Sequence, residues 1–426
     1  MITRRTFVSG SLVSGSLALP LAAPAIAQNR QTEITIYHYQ NDKRGDVFKD
    51  IIRRFEAANP DVKVNDIFKT DATITAELQS ALAARRPVDL GTVIGIRVQF
   101  YRMRAPVVAF DEDPAQARWL ENYLPNFLDV GRHAGKVYAV PYAFGTPMLY
   151  HNRDLARAAG LNVNTPPRTW DEVIEWASRI QSSTGIPGLG HLHASNKVYG
   201  TMLMAQNAGG RYISEDGDRV VLDSPEGVAA MQLWQDLAVK HKVMPIANDG
   251  QWTAAFMGQR LGMYITSSAL LRQAVESATG KFELGVSEYP FFPGRSERRL
   301  PNSGATFMLF SPPGPRREAS LRFMAFLSEL GVANEWSRES GYMPLMREPL
   351  RDPAMLAYAE SFPYVKPVIA QMRDTVATET WNHANALQAE NIVSTMVDDL
   401  WAGKGPASQL VPEAVKRANA ALSRPN

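Results

Sequence analysis

Residues 33–96 decide the fold, and they read EITIYHYQNDKRGDVFKDIIRRFEAANPDVKVNDIFKTDATITAELQSALAARRPVDLGTVIGI. Short runs rich in β-branched and aromatic residues alternate here with longer stretches whose apolar residues recur at helical spacing. The predicted strands are Glu33–Tyr39, Val62–Val64 and Val88–Ile96. The predicted helices carry two apolar stripes, formed by Val47, Phe48, Ile51, Ile52 and Phe55 and by Ile74, Leu78 and Leu82. The order of elements is therefore β-α-β-α-β.

This alternation predicts an α/β fold in which crossover helices join parallel strands. Open sheets of this kind bind ligands beyond the carboxyl ends of their strands. The segment Tyr37–Asp42 lies at such an end. Because side chains alternate across a strand, about half of the residues there are expected to face a ligand cleft.

Length and composition favour a globular protein of two lobes. A chain of 426 residues exceeds the ~250–300 at which one hydrophobic core stops growing. The 45 basic and 43 acidic residues nearly cancel, which argues against nucleic acid as a partner. The sequence contains no cysteine, so disulfides, thiolate metal sites and cysteine nucleophiles are excluded. After residue 28 no apolar run approaches the ~20 residues needed to span a bilayer.

The N-terminus has the pattern of an export signal. Arg4 and Arg5 precede a weakly apolar stretch that ends in Ala25-Ile26-Ala27, which fits a cleavage site. The arginine pair predicts a signal peptide of the twin-arginine type over residues 1–27, and a periplasmic location. A Sec signal with an incidental arginine pair is the alternative.

Helical patterns continue into a second lobe. Thr169-Trp170-Asp171-Glu172 has the pattern of a capping box, and Ser224-Pro225 places an N-cap before a favoured first-turn proline. Further helices are predicted over residues 319–330, ended by Gly331, and over Val332–Ser340, ended by Gly341. The C-terminal third is therefore expected to be mainly helical, and the absence of a long linker predicts several crossings between the lobes.

Four segments carry a resemblance to a known family. They are FEAANPDVKV at 55–64, the motifs from GKVYAVPY to PPRTWDE within 135–172, AFMGQRLGM at 255–263 and SGYMP at 340–344. In order and spacing the chain resembles the extracellular solute-binding proteins, family 1, of carbohydrate ABC importers. From roughly residue 33 to 420 it is most similar to the members that bind glycerol-3-phosphate.

The resemblance implies a two-lobe periplasmic binding protein fold with a ligand cleft at the hinge. We expect residues 28–143 and 304–345 to form lobe 1, and residues 144–303 and 346–426 to form lobe 2. It also implies a monomer without a cofactor that captures a small polar ligand and delivers it to ABC permease subunits and their ATPase. Closure of the lobes would hold the ligand.

Binding positions of the glycerol-3-phosphate members carry over only in part. Gly304, Tyr342 and the pair Ser267-Ser268 match them. Other positions differ. This chain has Ala72 and Ile94 where those members have a tyrosine and a glutamate, and Gly145 where they have a serine. Their tryptophan pair falls near Ala194 and Lys197 of this chain. A C-terminal arginine of those members has no counterpart around Trp381–His383, and its loss removes a strong phosphate contact.

The candidate ligand-binding residues are polar, aromatic or glycine residues in predicted loops: Tyr37, His38, Tyr39, Gln40, Asp71, Tyr142, Gly145, His193, Ser267, Ser268, Ser303, Gly304, Tyr342 and Trp381. For several of them a packing or hinge role explains the sequence about as well. Arg97 and Lys197 are anion contacts if the ligand is acidic, and solvated surface charges otherwise. His191 and His193 lack a third ligand, so no metal site is predicted.

The predicted function is capture of a sugar, polyol or related small polar solute for import. Glycerol-3-phosphate, a glycerophosphodiester or another anionic sugar derivative is the alternative ligand class. A periplasmic enzyme acting on carbohydrates or phosphoesters is the rival class, although the sequence lacks the common nucleophile and phosphate-loop motifs and predicts no catalytic residues. A module that presents its ligand to a sensor remains open.

Overall fold

The computed structural model describes residues 31–70, 73–191, 197–383 and 385–423. The predicted signal peptide, Asp71 and His193 lie outside these ranges, and so does the side chain of Ser303.

The strands are numbered along the chain. They are β1 (Thr32–His38), β2 (Val62–Phe68), β3 (Leu90–Ile94), β4 (Arg132–His133), β5 (Lys136–Val137), β6 (Ala139–Gly145), β7 (Pro147–Asn152), β8 (Leu189–His191), β9 (Met263–Ser267), β10 (Leu284–Glu288), β11 (Leu300–Pro301), β12 (Ser303–Leu309) and β13 (Thr375–Val376).

The α-helices are numbered in the same way. They are α1 (Asp42–Ala58), α2 (Ile74–Ala83), α3 (Val98–Arg104), α4 (Pro125–Leu128), α5 (Arg153–Ala158), α6 (Trp170–Thr184), α7 (Lys197–Asn207), α8 (Pro225–Ala238), α9 (Asp249–Met257), α10 (Leu271–Ala278), α11 (Pro315–Leu327), α12 (Leu330–Ser340), α13 (Pro353–Ser361), α14 (Lys366–Gln371), α15 (Ala386–Trp401) and α16 (Ala407–Leu422). None of the helices within the described ranges is long and apolar enough to cross a membrane.

A five-stranded sheet in the order β2-β1-β3-β12-β6 forms the centre of lobe 1. The strands β1, β2 and β3 run parallel, whereas β12 is antiparallel to both β3 and β6. Helices cover both faces of the sheet. Because side chains alternate between the faces along each strand, its residues belong to two separate hydrophobic clusters. Phe48 and Phe55 of α1 pack on one face, and Leu78 of α2 and Val98 of α3 pack on the other.

A four-stranded sheet in the order β10-β7-β9-β8 forms the centre of lobe 2. The strand β7 pairs antiparallel with β10 and β9, and β8 runs parallel to β9. The helices α7, α8, α15 and α16 pack against one another beside this sheet. The fold is therefore two α/β lobes, as the sequence predicts.

The chain passes between the lobes at several places. Thr146 is the single residue between β6 of the first sheet and β7 of the second. A return passage runs from β10 through β11 to β12, and the short β11 pairs with β13 beside it. A further passage lies between α12, which packs on α1, and α14, which packs on β10. The predicted boundaries at 143, 303 and 345 fall near these passages and remain predictions.

Most predicted elements are present with adjusted ends. The β-α-β-α-β opening is confirmed, as are the capping box of α6 and the left-handed Gly341 that ends α12. The prediction that Gly331 ends a helix is wrong. The helix α11 ends at Leu327, where Ser328 bonds back to the carbonyl of Met324, and Gly331 lies inside α12.

A buried histidine in β7 makes the stability of lobe 2 depend on pH. His151 is 2% exposed and packs edge-on against Trp176, with ring centroids 5.8 Å apart. Burial lowers its pKa from 6.5 to about 4. The neutral ring is therefore the form that the fold accommodates.

We expect His151→Gln to flatten the dependence of stability on pH. Below pH 6.5 the His151 side chain takes up a proton in the unfolded chain, whereas in the folded chain it stays neutral down to about pH 4. The contribution of neutral His151 to the free energy of unfolding is therefore present at neutral pH and lost on acidification. Between pH 7 and pH 5 the wild type should lose about 2 kcal/mol more than the variant. Urea unfolding at both pH values measures this difference. Equal losses in both proteins would contradict the prediction.

Candidate ligand site

A cavity of about 380 Å³ lies between the two lobes. Lobe 1 contributes the turn that follows the carboxyl end of β3, together with the start of α2. The residues from this side are Thr75, Ile94, Gly95, Ile96 and Arg97. This position is the strand end at which open α/β sheets bind ligands.

Lobe 2 contributes the opposite wall from two helices. Val198, Tyr199 and Met202 come from α7, and Glu390 comes from α15. The connecting segments complete the cavity with Asn302, Gly304 and Thr378. Residues from both lobes therefore surround one space, so a ligand held there would contact both.

One ion pair crosses the cavity from lobe to lobe. The Nη2 atom of Arg97 lies 2.6 Å from Oε2 of Glu390. The Glu390 side chain is only 5% exposed, whereas Arg97 is 26% exposed. Among the described residues that line the cavity these two are the charged ones, so their formal charges cancel.

Two polar atoms of the cavity-lining residues have no hydrogen-bond partner within the described part of the chain. They are the amide Nδ2 of Asn302, a donor, and Oε1 of Glu390, an acceptor. Buried polar groups are normally paired, so these two solvent-shielded atoms are exceptions. A hydroxyl group can accept from the first kind of atom and donate to the second.

The orientation of Asn302 is fixed by its neighbour Thr378. The Oδ1 atom of Asn302 accepts from the backbone N–H of Thr378 at 3.0 Å and from the Thr378 hydroxyl at 2.5 Å. Since both bonds use the carbonyl side of the amide, the NH₂ group is left without a protein partner. This placement fixes the orientation of the unpartnered NH₂ group.

A buried carboxylate supports the segment that carries Thr378. Glu379 accepts from Nε2 of Gln206 at 2.8 Å and from the backbone N–H groups of Tyr212 and Ile213 at 3.0 and 2.7 Å. Burial raises the pKa of Glu379, and these donors partly offset that effect. The network attaches the connecting segment firmly to lobe 2.

Several residues that the sequence singles out gather in a second group beside the cavity. Nε2 of Gln40 donates to the hydroxyl of Tyr142, whose ring stacks on Phe307 with centroids 4.0 Å apart. Trp336 donates to the backbone carbonyl of Tyr142 and stacks on Tyr342. The structure thus brings Gln40, Tyr142 and Tyr342 together through aromatic packing.

The serine pair and Gly145 lie at the passage between the lobes. The hydroxyl of Ser268 accepts from the backbone N–H of Thr146, and Ser268 itself is buried. The hydroxyl of Ser267 caps the turn after β9 by accepting from Ala269. A Cβ atom at Gly145 would lie 2.2 Å from Oγ of Ser267, so a larger residue here would require the Ser267 side chain to shift. These contacts serve the hinge, and ligand contact stays a prediction.

Other predicted residues lie in the protein interior. Tyr37 belongs to the core beneath α2 and α3, and Tyr39 is half-buried between the two cores. His38 is fully buried against Phe48, 3.6 Å from Asp66. Trp381 is 1% exposed and packs edge-on against Tyr212. Strand alternation and packing account for these placements.

Of the predicted residues that the structure describes, Gly304 is the one that lines the cavity. From the sequence, Arg97 is an anion contact if the ligand is acidic, and in the structure it pairs with Glu390. Sequence reasoning missed Thr75, Tyr199, Thr378 and Glu390, which also line the cavity. Tyr199 carries a weak signal, because it is an aromatic residue at the start of a helix. Glu390 carries none, because nothing in α15 distinguishes it from a solvated residue.

The two lobes and the cavity between them define the class of a two-lobe binding protein. Residues 50–363 match the family of bacterial extracellular solute-binding proteins, and the chain therefore belongs to that family. Members of this family bind a small solute and work with ABC permease and ATPase components.

Relatives cover the whole chain at low identity. The sn-glycerol-3-phosphate-binding periplasmic protein UgpB of Brucella abortus (strain 2308) is 23% identical over 442 aligned residues, which cover 99% of both chains. The cyclic alpha-maltosyl-1,6-maltose binding protein of Arthrobacter globiformis has a TM-score of 0.81 at 23% identity and covers 92% of this chain and 99% of its own. UgpB of Mycobacterium tuberculosis in complex with glycerophosphocholine has a TM-score of 0.79 at 20% identity and the same coverage. These structures share the fold.

Proposed function

We propose that the protein captures a neutral, polyhydroxylated solute, such as a sugar, a polyol or a short oligosaccharide, for an ABC importer. The observation that carries this proposal is the cavity between the lobes, where the charges of the described lining residues cancel and one donor and one acceptor lack a partner among the described residues. Its volume of about 380 Å³ suits a ligand of one or two sugar rings. A structural neighbour that binds a maltose-type cyclic saccharide supports this class.

The mechanism that follows is closure of the lobes around the solute. Thr75 and Arg97 belong to lobe 1, and Tyr199 and Glu390 belong to lobe 2. Their contacts with one ligand exist together only when the lobes are closed, so binding shifts the population toward that state. The ABC permease would then recognise the closed form.

A second candidate is an anionic or zwitterionic glycerol derivative. Arg97 supplies a cation in the cavity wall, and relatives carry the names of glycerol-3-phosphate and glycerophosphocholine binders. Glu390 argues against this ligand class, because its carboxylate already pairs with Arg97 at 2.6 Å. The neutral class therefore leads.

The finer predictions about location and assembly belong to this proposal. Residues 1–27 would direct export by the twin-arginine route to the periplasm, where the protein would act as a monomer without catalysis and without nucleic acid. Family membership and the charge balance of 45 basic and 43 acidic residues support these points.

A ligand screen tests the proposal. Purified protein, stripped of ligand, is heated with sugars, polyols, glycerol-3-phosphate, glycerophosphocholine, amino acids and peptides, and shifts in melting temperature are confirmed by calorimetry. A ligand of the native state must raise the melting temperature. Shifts with sugars or polyols are expected. Shifts with amino acids or peptides alone, or chemical turnover of a bound compound, would overturn the proposal.

A cavity-filling variant tests the site itself. Val198→Trp should lower the affinity for the bound sugar or polyol at least ten-fold, because the side chain of this half-buried residue lines the cavity. Val239→Trp is the matched control, since Val239 is 38% exposed and lies outside the cavity. Calorimetry measures both affinities. Unchanged binding by Val198→Trp would place the ligand elsewhere.

A further inference from the structure

Glu390 is the least expected group in the cavity wall. Its side chain is 95% buried by the surrounding protein, since only 5% is exposed, and it comes from α15 near the C-terminus. One carboxylate oxygen holds Arg97, and the other has no partner within the described residues. A buried carboxylate is costly to leave unpaired, so its presence needs a physical reason.

We infer that Glu390 is a specificity-determining residue that makes the cleft reject anionic solutes. This inference rests on the proposed function as a binding protein and deepens it. Glu390 forms an ion pair with Arg97, the guanidinium among the described lining residues, so a phosphate group can pair with Arg97 only by displacing Glu390. Displacement would leave two negative charges close together in a poorly hydrated space, one of them a carboxylate without a counter-ion.

A neutral solute avoids this conflict. Its hydroxyl groups can accept from the partly exposed Arg97 side chain while the ion pair stays intact. The ion pair therefore has two effects on selectivity. It offers polar contacts to a polyhydroxylated ligand, and it places a repulsive charge against a close analogue that carries a phosphate.

The test is a gain of function in Glu390→Gln, measured by calorimetry with glycerol-3-phosphate and with inorganic phosphate as probes. The amide is similar in shape and uncharged, so it frees Arg97 for a phosphate contact. We expect glycerol-3-phosphate to bind the variant at least ten-fold more tightly than the wild type. Glu390→Ser is the second variant, equally uncharged and smaller, in case the amide impairs folding, which thermal melting reports.

The matched control is Asp399→Asn. It removes one negative charge from the same helix, where Asp399 pairs with the exposed Lys404 outside the cavity. This variant should bind glycerol-3-phosphate no better than the wild type. The double variant Arg97→Gln, Glu390→Gln should lose the gain, because the gained contact is made by Arg97.

Three results would overturn the inference. They are folded Glu390 variants with no gain, an equal gain in Asp399→Asn, and a gain that survives in the double variant. These outcomes are independent of the ligand screen, because a failure of every sugar and polyol to bind the wild type concerns the proposed function alone.

Discussion

Replacement of Asp89 by alanine is expected to lower the free energy of unfolding by about 3–5 kcal/mol. The carboxylate of Asp89 is fully buried just before β3. Its oxygens accept from the backbone N–H of Thr35 in β1, from the hydroxyl of Ser311 and from Nε and Nη2 of Arg316. Alanine would leave these donors without their acceptor and weaken the connection among β1, β3 and α11.

Asp61→Ala is the matched control for this prediction. Asp61 also pairs with an arginine, Arg322, at 2.7 Å, but the two side chains are 50% and 44% exposed. Solvent can replace this pair, so the variant should unfold close to the wild type. Guanidinium titrations of the three proteins measure the differences. Similar stability of Asp89→Ala and Asp61→Ala would show that the buried network contributes little.

Replacement of Gly304 by alanine should both destabilise the protein and disturb the cavity. Gly304 has a φ of +143°, a conformation that residues with a Cβ atom rarely adopt. A Cβ atom there would lie 1.9 Å from the backbone oxygen of Ala143 on the neighbouring strand β6. Strain of this backbone conformation together with the collision should cost at least about 3 kcal/mol. Because Gly304 lines the cavity, ligand affinity should fall as well.

Gly331→Ala is the control for the glycine substitution. Gly331 lies in α12 with open space around its Cα, and its φ is not in the left-handed region. Alanine is the better helix former there, so this variant should keep or slightly raise stability, by up to about 1 kcal/mol. Thermal unfolding and ligand calorimetry compare both variants. A Gly304→Ala protein as stable as the wild type would contradict the strain derived from the backbone.

The sequence predicts the fold well where the signal is local. The apolar stripe of α1, the capping box of α6 and the glycine at the end of α12 each lie within a few neighbouring residues. Such signals reflect backbone geometry and the burial of one helix face, and both requirements are common to all α/β proteins. The error at Gly331 arose because a glycine within a helix and one that ends it have the same local pattern.

The site is less predictable because its residues are far apart in sequence and become neighbours only when the two lobes have folded and packed together. Arg97 and Glu390 are 293 residues apart in sequence and form one ion pair. Asn302 becomes a free donor only because Thr378 takes its carbonyl side. By contrast, Gly304 could be predicted, since it matches a binding position of the family members that bind glycerol-3-phosphate. Tyr37 and His38 show the limit of reasoning from strand ends, because both are buried in the core.

The single residue between β6 and β7 determines what kind of motion the lobes can make. Thr146 is bound to lobe 2 on three sides, since its backbone exchanges hydrogen bonds with Ser268 and its hydroxyl accepts from Gln371 at 2.5 Å. With Thr146 anchored, the freedom at this passage falls to the torsion angles of Gly145. At this passage the lobes are therefore expected to turn about a fixed pivot without sliding, so that a pair of distance probes placed across it reports the opening as a change of angle.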